Sequence, residues 1–339
     1  EQEPAGWNYE GLGNTLSALN RFDEADQAFA KATEYSPEEG HYYQSWGLSL
    51  YRRKEFQESL VKLRKAVELD PSDTTPMISI GMMYHNGEGV AQDYAEALRW
   101  YGKAAGNGDS VGQNNVGLMY ANGFGVATNY AMAVKWYNKS AQQDNPSAQS
   151  HLGYMYEMGR GVTQDCAVAV LWYQKSAEHG DAAGQYHLAT MYESGNGVGK
   201  DISKAEYWHR KSAEQGNTWA QYELANLCTR QSVPDGTNRS EILYWYRKSA
   251  EGGYSKAQRE LGRVCREGLY GEKRDVERAK EWYAKAANQG DALASVSLES
   301  IRKFTNDLAV AKSAAKQGDI HAARKALMKG NGQQAGMMV

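Results

Sequence analysis

Proline, phenylalanine and cysteine are scarce in this chain of 339 residues, which contains 6 Pro, 5 Phe and 3 Cys. Because proline interrupts helices, its scarcity favours a largely helical fold. Three cysteines are too few, and odd in number, for a disulfide scaffold. Apolar runs are also short, and none approaches the roughly 20 residues of a membrane-spanning helix. We therefore expect no integral membrane segment.

The chain also lacks an excess of charge of one sign. Lysine and arginine together number 38, aspartate and glutamate 41, and the net charge is −3. Binding to nucleic acids or anionic membranes normally needs a basic excess, so we expect no nucleic-acid partner. Hydrophobic residues make up 41% of the chain and charged residues 23%, which is typical of folded rather than disordered proteins.

Recognisable catalytic motifs are missing as well. The sequence contains no Gly-x-Ser-x-Gly elbow, no His-Glu-x-x-His, no Cys-x-x-Cys and no phosphate-loop motif. We therefore predict that the protein is not an enzyme and that it uses no cofactor and no metal. The alternative is an enzyme, or an accessory of a hydrolase, which would need carboxylates that converge in a pocket.

What the chain does have is an internal repeat, which accounts for much of its 35 Gly and 23 Tyr. Tryptophan, followed by tyrosine in five of six copies, recurs at spacings of 36, 36, 36, 37 and 37 residues. A second column places a small residue after an apolar one, as in Val116-Gly117. Such a period is typical of a solenoid. The tryptophans are Trp100, Trp136, Trp172, Trp208, Trp245 and Trp282.

Each copy reads as two helices. In the third copy, Asn145 followed by Pro146 predicts a helix start. The glycines in 159–162 interrupt the helical pattern, and Asp165 caps a second helix that ends before Gly180. The first 73 residues repeat every 34 residues instead and fit the tetratricopeptide (TPR) pattern. We expect four blocks: two TPR-like repeats (1–73), six longer repeats (74–290), a degenerate repeat with C-terminal capping helices (291–329) and a flexible tail (330–339).

The longer repeat, with its apolar-Gly-x-Met-Tyr, Gly-x-Gly-Val, Ala-x-x-Trp-Tyr and Gly-Asp segments, resembles the Sel-one-like repeat (SLR) family. The resemblance covers residues 73–290, and the TPR pattern extends it to residue 6. It implies an all-α fold, a right-handed α-α superhelix of about eight helix pairs plus a C-terminal cap. It also implies a bacterial protein of the exported type that binds other proteins on its concave face.

Three sets of residues resemble a phosphate site, a zinc site and a disulfide, but they recur at equivalent positions of the repeat, which is typical of packing. The Gly-x-Gly-Val loops look like phosphate cradles, yet no helix with a Lys-Ser/Thr tail follows them. His151 and His187 share a column, and neighbouring helices lie about 10 Å apart, too far for one zinc ion. Cys228 and Cys265 exceed disulfide reach for the same reason. We expect these residues, and Cys166, to be structural.

Candidate binding residues are those of each copy's first helix that point away from the packing columns. The early copies present apolar side chains, the middle copies aromatic ones and the last copy basic ones. Tyr, Trp and Arg dominate protein-binding hot spots, and the basic row could meet an acidic segment of a partner. The other interpretation is that the rings are half-buried and the arginines solvated. The set is Ile78, Met82, Leu118, Tyr154, Tyr186, Trp219, Tyr222, Lys256, Arg259, Arg263 and Arg266.

The resulting functional prediction is a non-enzymatic, monomeric solenoid that binds a partner protein. Because some SLR proteins are immunity proteins, the resemblance implies that the partner could be a toxic effector such as a type VI phospholipase. A general adaptor in envelope assembly, signalling or host contact is the alternative. The chain begins at Glu1 rather than Met, so we expect processing and a periplasmic or exported protein, with a cytoplasmic one as the alternative.

Overall fold

The computed structural model describes residues 6–231, 239–317, 319–322, 324, 325 and 328. The predicted tail, 330–339, and most of the departing loop of the fifth copy, 231–236, lie outside these residues. The described chain is all-helical, without strands, as predicted. Its helices are α1 (Gly6–Ala18), α2 (Phe22–Tyr35), α3 (Gly40–Arg52), α4 (Phe56–Leu69), α5 (Thr74–Asn86), α6 (Tyr94–Gly106), α7 (Ser110–Asn122), α8 (Tyr130–Ala141), α9 (Pro146–Met158), α10 (Cys166–Glu178), α11 (Ala182–Ser194), α12 (Ile202–Glu214), α13 (Thr218–Gln231), α14 (Arg239–Glu251), α15 (Ser255–Glu267), α16 (Val276–Asn288) and α17 (Ala292–Lys316).

The helices form the consecutive pairs that the repeats predict. Helix α1 packs on α2, and the same pairing joins α3 with α4, α5 with α6, α7 with α8, α9 with α10, α13 with α14 and α15 with α16. Helix α17 follows α16 along the chain and packs on it. The fold is therefore the paired-helix solenoid expected from the sequence, with a longer helix at the C-terminal end of the described chain.

The chain divides into two compact units between residues 200 and 201. Unit 1 contains α1 to α11, and unit 2 contains α12 to α17. This division falls inside the fourth long repeat and not at a boundary between repeats. The four blocks expected from the sequence remain a prediction about how the chain is organised.

Polar caps fix where both helices of the third long copy begin, as the sequence predicts. Asn145 accepts a hydrogen bond from the backbone N–H of Ala148 at the start of α9. The Asp165 side chain does the same for Val168 at the start of α10. Each bond satisfies a backbone donor that the helix itself leaves unpaired, and such a cap stabilises a helix by about 1 kcal/mol.

The small-residue column makes room for the tyrosine of the Trp-Tyr column. A Cβ atom placed on Gly117 would lie 2.6 Å from Cε1 of Tyr137, and one on Gly153 would lie 2.8 Å from Tyr173. Both tyrosine rings are almost completely buried. Gly81 and Gly262 make the same contact with Tyr101 and Tyr283. In these four copies the ring of the second helix packs directly on the backbone of the first helix, so the two columns depend on each other.

The first helices of unit 1 form one layer. Helix α1 contacts α3, α3 contacts α5, α5 contacts α7, and α9 contacts α11. Successive second helices share at most marginal contacts within residues 6–200, and each packs instead on the first helix of the next pair. Because the first helices approach one another more closely, their layer lies on the inner side of the local curvature. We call α5, α7, α9 and α11 the inner layer of unit 1.

Candidate functional site

The inner layer of unit 1 exposes apolar side chains. Met82 on α5 is 39% exposed and Val111 on α7 is 43% exposed. Ile78 and Leu118 are half-buried, since each also packs against the core beneath it. The three apolar candidates predicted from the early copies, Ile78, Met82 and Leu118, thus lie on one layer, with Met82 the most accessible of them.

This layer carries almost no charge. Helices α5 and α7 contain no Asp, Glu, Lys or Arg, and α9 and α11 contain one glutamate each, Glu157 and Glu193. The carboxylate of Glu157 accepts a 2.6 Å hydrogen bond from the Tyr173 hydroxyl. Burial and this bond raise the pKa of Tyr173 above its ordinary value. The charged side chains of these copies lie mainly on the second helices and loops.

An aromatic cluster occupies the joint between α9 and α11. The His187 ring stacks on Tyr173 with centroids 4.8 Å apart, and it contacts Tyr186 at 5.2 Å and Tyr154 at 6.2 Å. Burial lowers the pKa of His187. Tyr154 and Tyr186, expected outside the packing columns, are both half-buried in this joint. Their exposed parts can still contact a partner.

The equivalent histidine of the preceding copy lies in the joint between α7 and α9. Nδ1 of His151 lies 2.9 Å from Oδ1 of Asn114, and its ring lies 5.0 Å from that of Tyr137. Burial lowers the pKa of His151 to about 4. These contacts give the two column histidines a structural role between helices. No group of three or more His, Cys, Asp or Glu within the described ranges is placed to hold a metal ion.

The Gly-x-Gly-Val loops join successive copies. Gly125, with a φ of 67°, and Gly161, with a φ of 73°, are second glycines of these loops. A Cβ atom on either would lie 2.4 Å from the carbonyl carbon of Tyr94 or Tyr130, at the start of the preceding copy's second helix. The loops have the structural role expected from the sequence, and only glycine combines this φ with so close an approach.

The candidate aromatic residues of unit 2 differ in accessibility. Trp219, near the start of α13, is 50% exposed. Tyr222, one turn further on, is half-buried, with its ring 5.3 Å from that of Tyr254 and 6.0 Å from that of Tyr246. Of these two candidates, Trp219 is therefore the more accessible to solvent, whereas much of Tyr222 serves packing.

The basic row of α15 is largely neutralised within the chain. Arg259 donates a 2.7 Å hydrogen bond to Asp291, and Arg263 forms a 2.8 Å ion pair with Glu260. The sequence suggested either a basic row available to an acidic partner or arginines surrounded by water, and these ion pairs differ from both. The third arginine, Arg266, pairs with Glu267 at 2.5 Å, while Lys256 is exposed.

The structure also shows a column of buried glutamines that was not predicted from the sequence. Gln149, Gln185, Gln221 and Gln258 each donate a hydrogen bond to the carbonyl of an alanine near the end of the preceding second helix, as Gln221 does to Ala213. The 36- and 37-residue spacing was the available signal, but spacing does not reveal the acceptor. The column consists of Gln113, Gln149, Gln185, Gln221 and Gln258.

The side-chain oxygen of the column glutamine has a hydrogen-bond partner in the sixth long copy but not in the fifth. Oε1 of Gln258 accepts a 2.8 Å bond from the Gln289 side chain. The position equivalent to Gln289 in the preceding copy is Gly252, which has no side chain. Accordingly Oε1 of Gln221 is buried without a hydrogen-bond partner in the described part of the chain.

The three cysteines carry thiols and form no disulfide with one another. Cys228 and Cys265 are buried and Cys166 is partly exposed. Burial raises the pKa of Cys228 to about 11 and also raises that of Cys265, so both stay protonated near neutral pH. Among the described helices, none combines the length and hydrophobicity needed to cross a bilayer.

The family comparison explains the six long copies. The Sel1 repeat profile matches six segments that together cover more than half of the chain, residues 77–109, 110–145, 146–181, 182–217, 220–254 and 255–291. The chain belongs to the Sel1 repeat family. A tetratricopeptide repeat profile matches residues 8–39 of this Sel1 repeat protein. The predicted resemblance is confirmed, and no curated protein matches the chain.

Solved structures of bacterial Sel1 repeat proteins share the fold. A Sel1 repeat protein from Oxalobacter formigenes is 35% identical, with 72% of this chain and 98% of that chain covered and a TM-score of 0.65. The protective antigen c5321 of uropathogenic Escherichia coli is 35% identical over 91% of this chain and 68% of that chain, with a TM-score of 0.61. The immunity protein Pa5087 of Pseudomonas aeruginosa is 20% identical over 62% and 81%, with a TM-score of 0.44, which is too distant to indicate function.

Proposed function

We propose that this Sel1 repeat protein is a non-enzymatic binding protein that recognises a partner protein through its first helices. The observation that carries the proposal is the contrast between two sets of positions on these helices. The packing positions repeat from copy to copy, as with Gly117 and Gly153. The partly exposed position two residues after the apolar column changes, from Met82 to Leu118 to Tyr154. A position that stays partly exposed while its residue changes from copy to copy can serve recognition.

Affinity capture with matched variants tests this proposal. Met82→Asp places a charge on the inner layer, whereas Leu171→Asp places the same charge at a 61% exposed apolar site on the second helix α10. We expect a directly bound partner to be retained by the wild type and Leu171→Asp and lost from Met82→Asp. Binding of the purified partner is then measured by calorimetry. A partner that binds all three proteins equally would contradict the proposed role of the inner layer.

The narrower prediction, an immunity protein that neutralises a secreted toxic enzyme in the periplasm, remains a prediction. It requires a single tight partner and inhibition at a one-to-one ratio. Addition of the purified protein to a captured enzyme, with residual phospholipase or other hydrolase activity as the readout, tests it. An adaptor would leave the activity of the bound enzyme unchanged.

A further inference from the structure

The inner layer of unit 1 differs from α15 in the charge it can offer a partner. Helices α5 and α7 contain no acidic residue, lysine or arginine. On α15, three arginines are present, but each has a carboxylate of the same chain within ion-pair distance. Of the three sets of residues that the sequence suggests for binding, the apolar set therefore lies on α5 and α7, which carry no charge. The charge of the basic set is mostly satisfied internally.

The uncharged helices α5 and α7 select against charged partner segments. A carboxylate or ammonium group that is buried against Met82, Val111 and Leu118 loses its hydration and gains no opposite charge. The lost hydration therefore weakens the binding of a charged segment. On the neighbouring helix α9, the carboxylate of Glu157 already accepts a hydrogen bond from the Tyr173 hydroxyl. An apolar side chain in the same place releases water instead, and its burial stabilises the complex.

The repeat sets the spacing of the contacts. Successive first helices contact each other, and packed helices lie about 8–10 Å apart. Equivalent exposed positions on α5 and α7 are therefore about 10 Å apart. Residues separated by seven positions on an α-helix of a partner span about the same distance.

We propose that unit 1 binds an uncharged segment of a partner protein, whose apolar side chains lie about 10 Å apart along the inner layer. The inference rests on the proposed protein-binding function and specifies its partner. Apolar contacts at Met82, Val111 and Leu118 supply the affinity. The arginines of α15 contribute little, so the association is nearly independent of salt.

Selection of peptides on the full-length protein tests the chemistry directly. The probe is a phage-displayed library of random peptides of about 16 residues, long enough for anchors seven positions apart on a helix. We expect the enriched peptides to share apolar residues and to lack charged residues between them. Their Kd should change less than about twofold between about 0.05 and 0.5 M sodium chloride.

Variants locate the bound peptide. Met82→Asp should weaken peptide binding at least about tenfold because it places a charge against an apolar anchor. Leu171→Asp, on the second helix α10, should leave the Kd unchanged, and so should Arg263→Gln. Circular dichroism and thermal unfolding show whether each variant is folded, and Met82→Ser serves as a milder substitution if Met82→Asp is not.

The remaining outcomes overturn the inference, and they separate it from the proposed function. Enriched peptides with charged motifs, strong salt dependence, or binding lost in Arg263→Gln would refute the uncharged partner while leaving protein binding intact. Failure to enrich any peptide would also refute it, and if affinity capture likewise finds no direct partner, the proposed function fails with it. A dimer that Met82→Asp dissociates, detected by light scattering, would assign the layer to a second copy of this chain.

Discussion

The unpaired glutamine of the fifth copy leads to a quantitative prediction. We compare Gln221→Met with Gln258→Met, two substitutions of the same type at equivalent positions of adjacent copies in unit 2. Methionine matches glutamine in length, and the chain itself places a buried methionine, Met77, at this position in the first long copy. Hydrophobic gain and side-chain shape therefore nearly cancel in the comparison.

The expected magnitudes follow from the hydrogen bonds that each glutamine makes. Gln258→Met removes a 3.1 Å bond to Ala250 and a 2.8 Å bond from Gln289, which at about 1 kcal/mol each predicts a loss near 2 kcal/mol. Gln221→Met removes only the bond to Ala213. It also removes a buried oxygen without a partner, whose desolvation costs about 1–3 kcal/mol. We expect Gln221→Met to be neutral or stabilising.

Urea unfolding followed by circular dichroism and tryptophan fluorescence measures the two free energies of unfolding. Unchanged m-values show that the variants unfold in the same manner as the wild type. Hydrogen exchange at α13 and α15 adds a local measure, because repeat proteins can unfold in parts. Equal destabilisation by the two substitutions would refute the reasoning, since it would mean that Oε1 of Gln221 is satisfied in solution.

Three further predictions concern stability. The pKa of His151 is about 4 in the folded chain, below the ordinary value of 6.5. The neutral histidine therefore contributes its full stabilisation above about pH 6.5. This contribution, at most about 3 kcal/mol, is lost as the pH falls through 4. His151→Asn should flatten the measured dependence of unfolding free energy on pH over that range. Gly125→Ala should lower the melting temperature, since it strains a positive φ and collides with Tyr94. Gly102→Ala, in the middle of α6 where no other atom lies near the new methyl group, should raise the melting temperature slightly. The opposite order would contradict the role of the loop in packing one copy against the next. Glu272→Gln should destabilise unit 2 by about 1–3 kcal/mol in urea unfolding, because this mostly buried carboxylate pairs with two arginines; no change would show that water replaces those pairs.

Much of the fold could be predicted because each feature depends on nearby residues. The cap at Asn145 needs only its own next three residues, and the turn at Gly159 needs only a residue that tolerates a positive φ. Repetition then multiplies each local signal six times. The pairing of small and tyrosine columns was visible as spacing, although the direct contact of Gly117 with Tyr137 was not.

The candidate site was predicted less completely because exposure and charge depend on residues distant in the sequence. Asp291, which pairs with Arg259, lies 32 residues further along the chain. The half-burial of Tyr154 depends on His187 of the next copy and on the core beneath α9. No pattern within one helix indicates either contact.

The sequence alone determines the repeat, its two helices, their caps and the residues that must be small, since these follow from periodicity and local backbone preferences. Only the tertiary structure decides which of the unpacked side chains remain available. It leaves Met82 and Trp219 exposed, draws Tyr154 and Tyr222 into packing, and neutralises the arginines of α15. The physical reason is that the accessibility and charge of a side chain depend on neighbouring copies in space. The repeat pattern shows which residues occupy equivalent positions, but not which residues of adjacent copies contact each other.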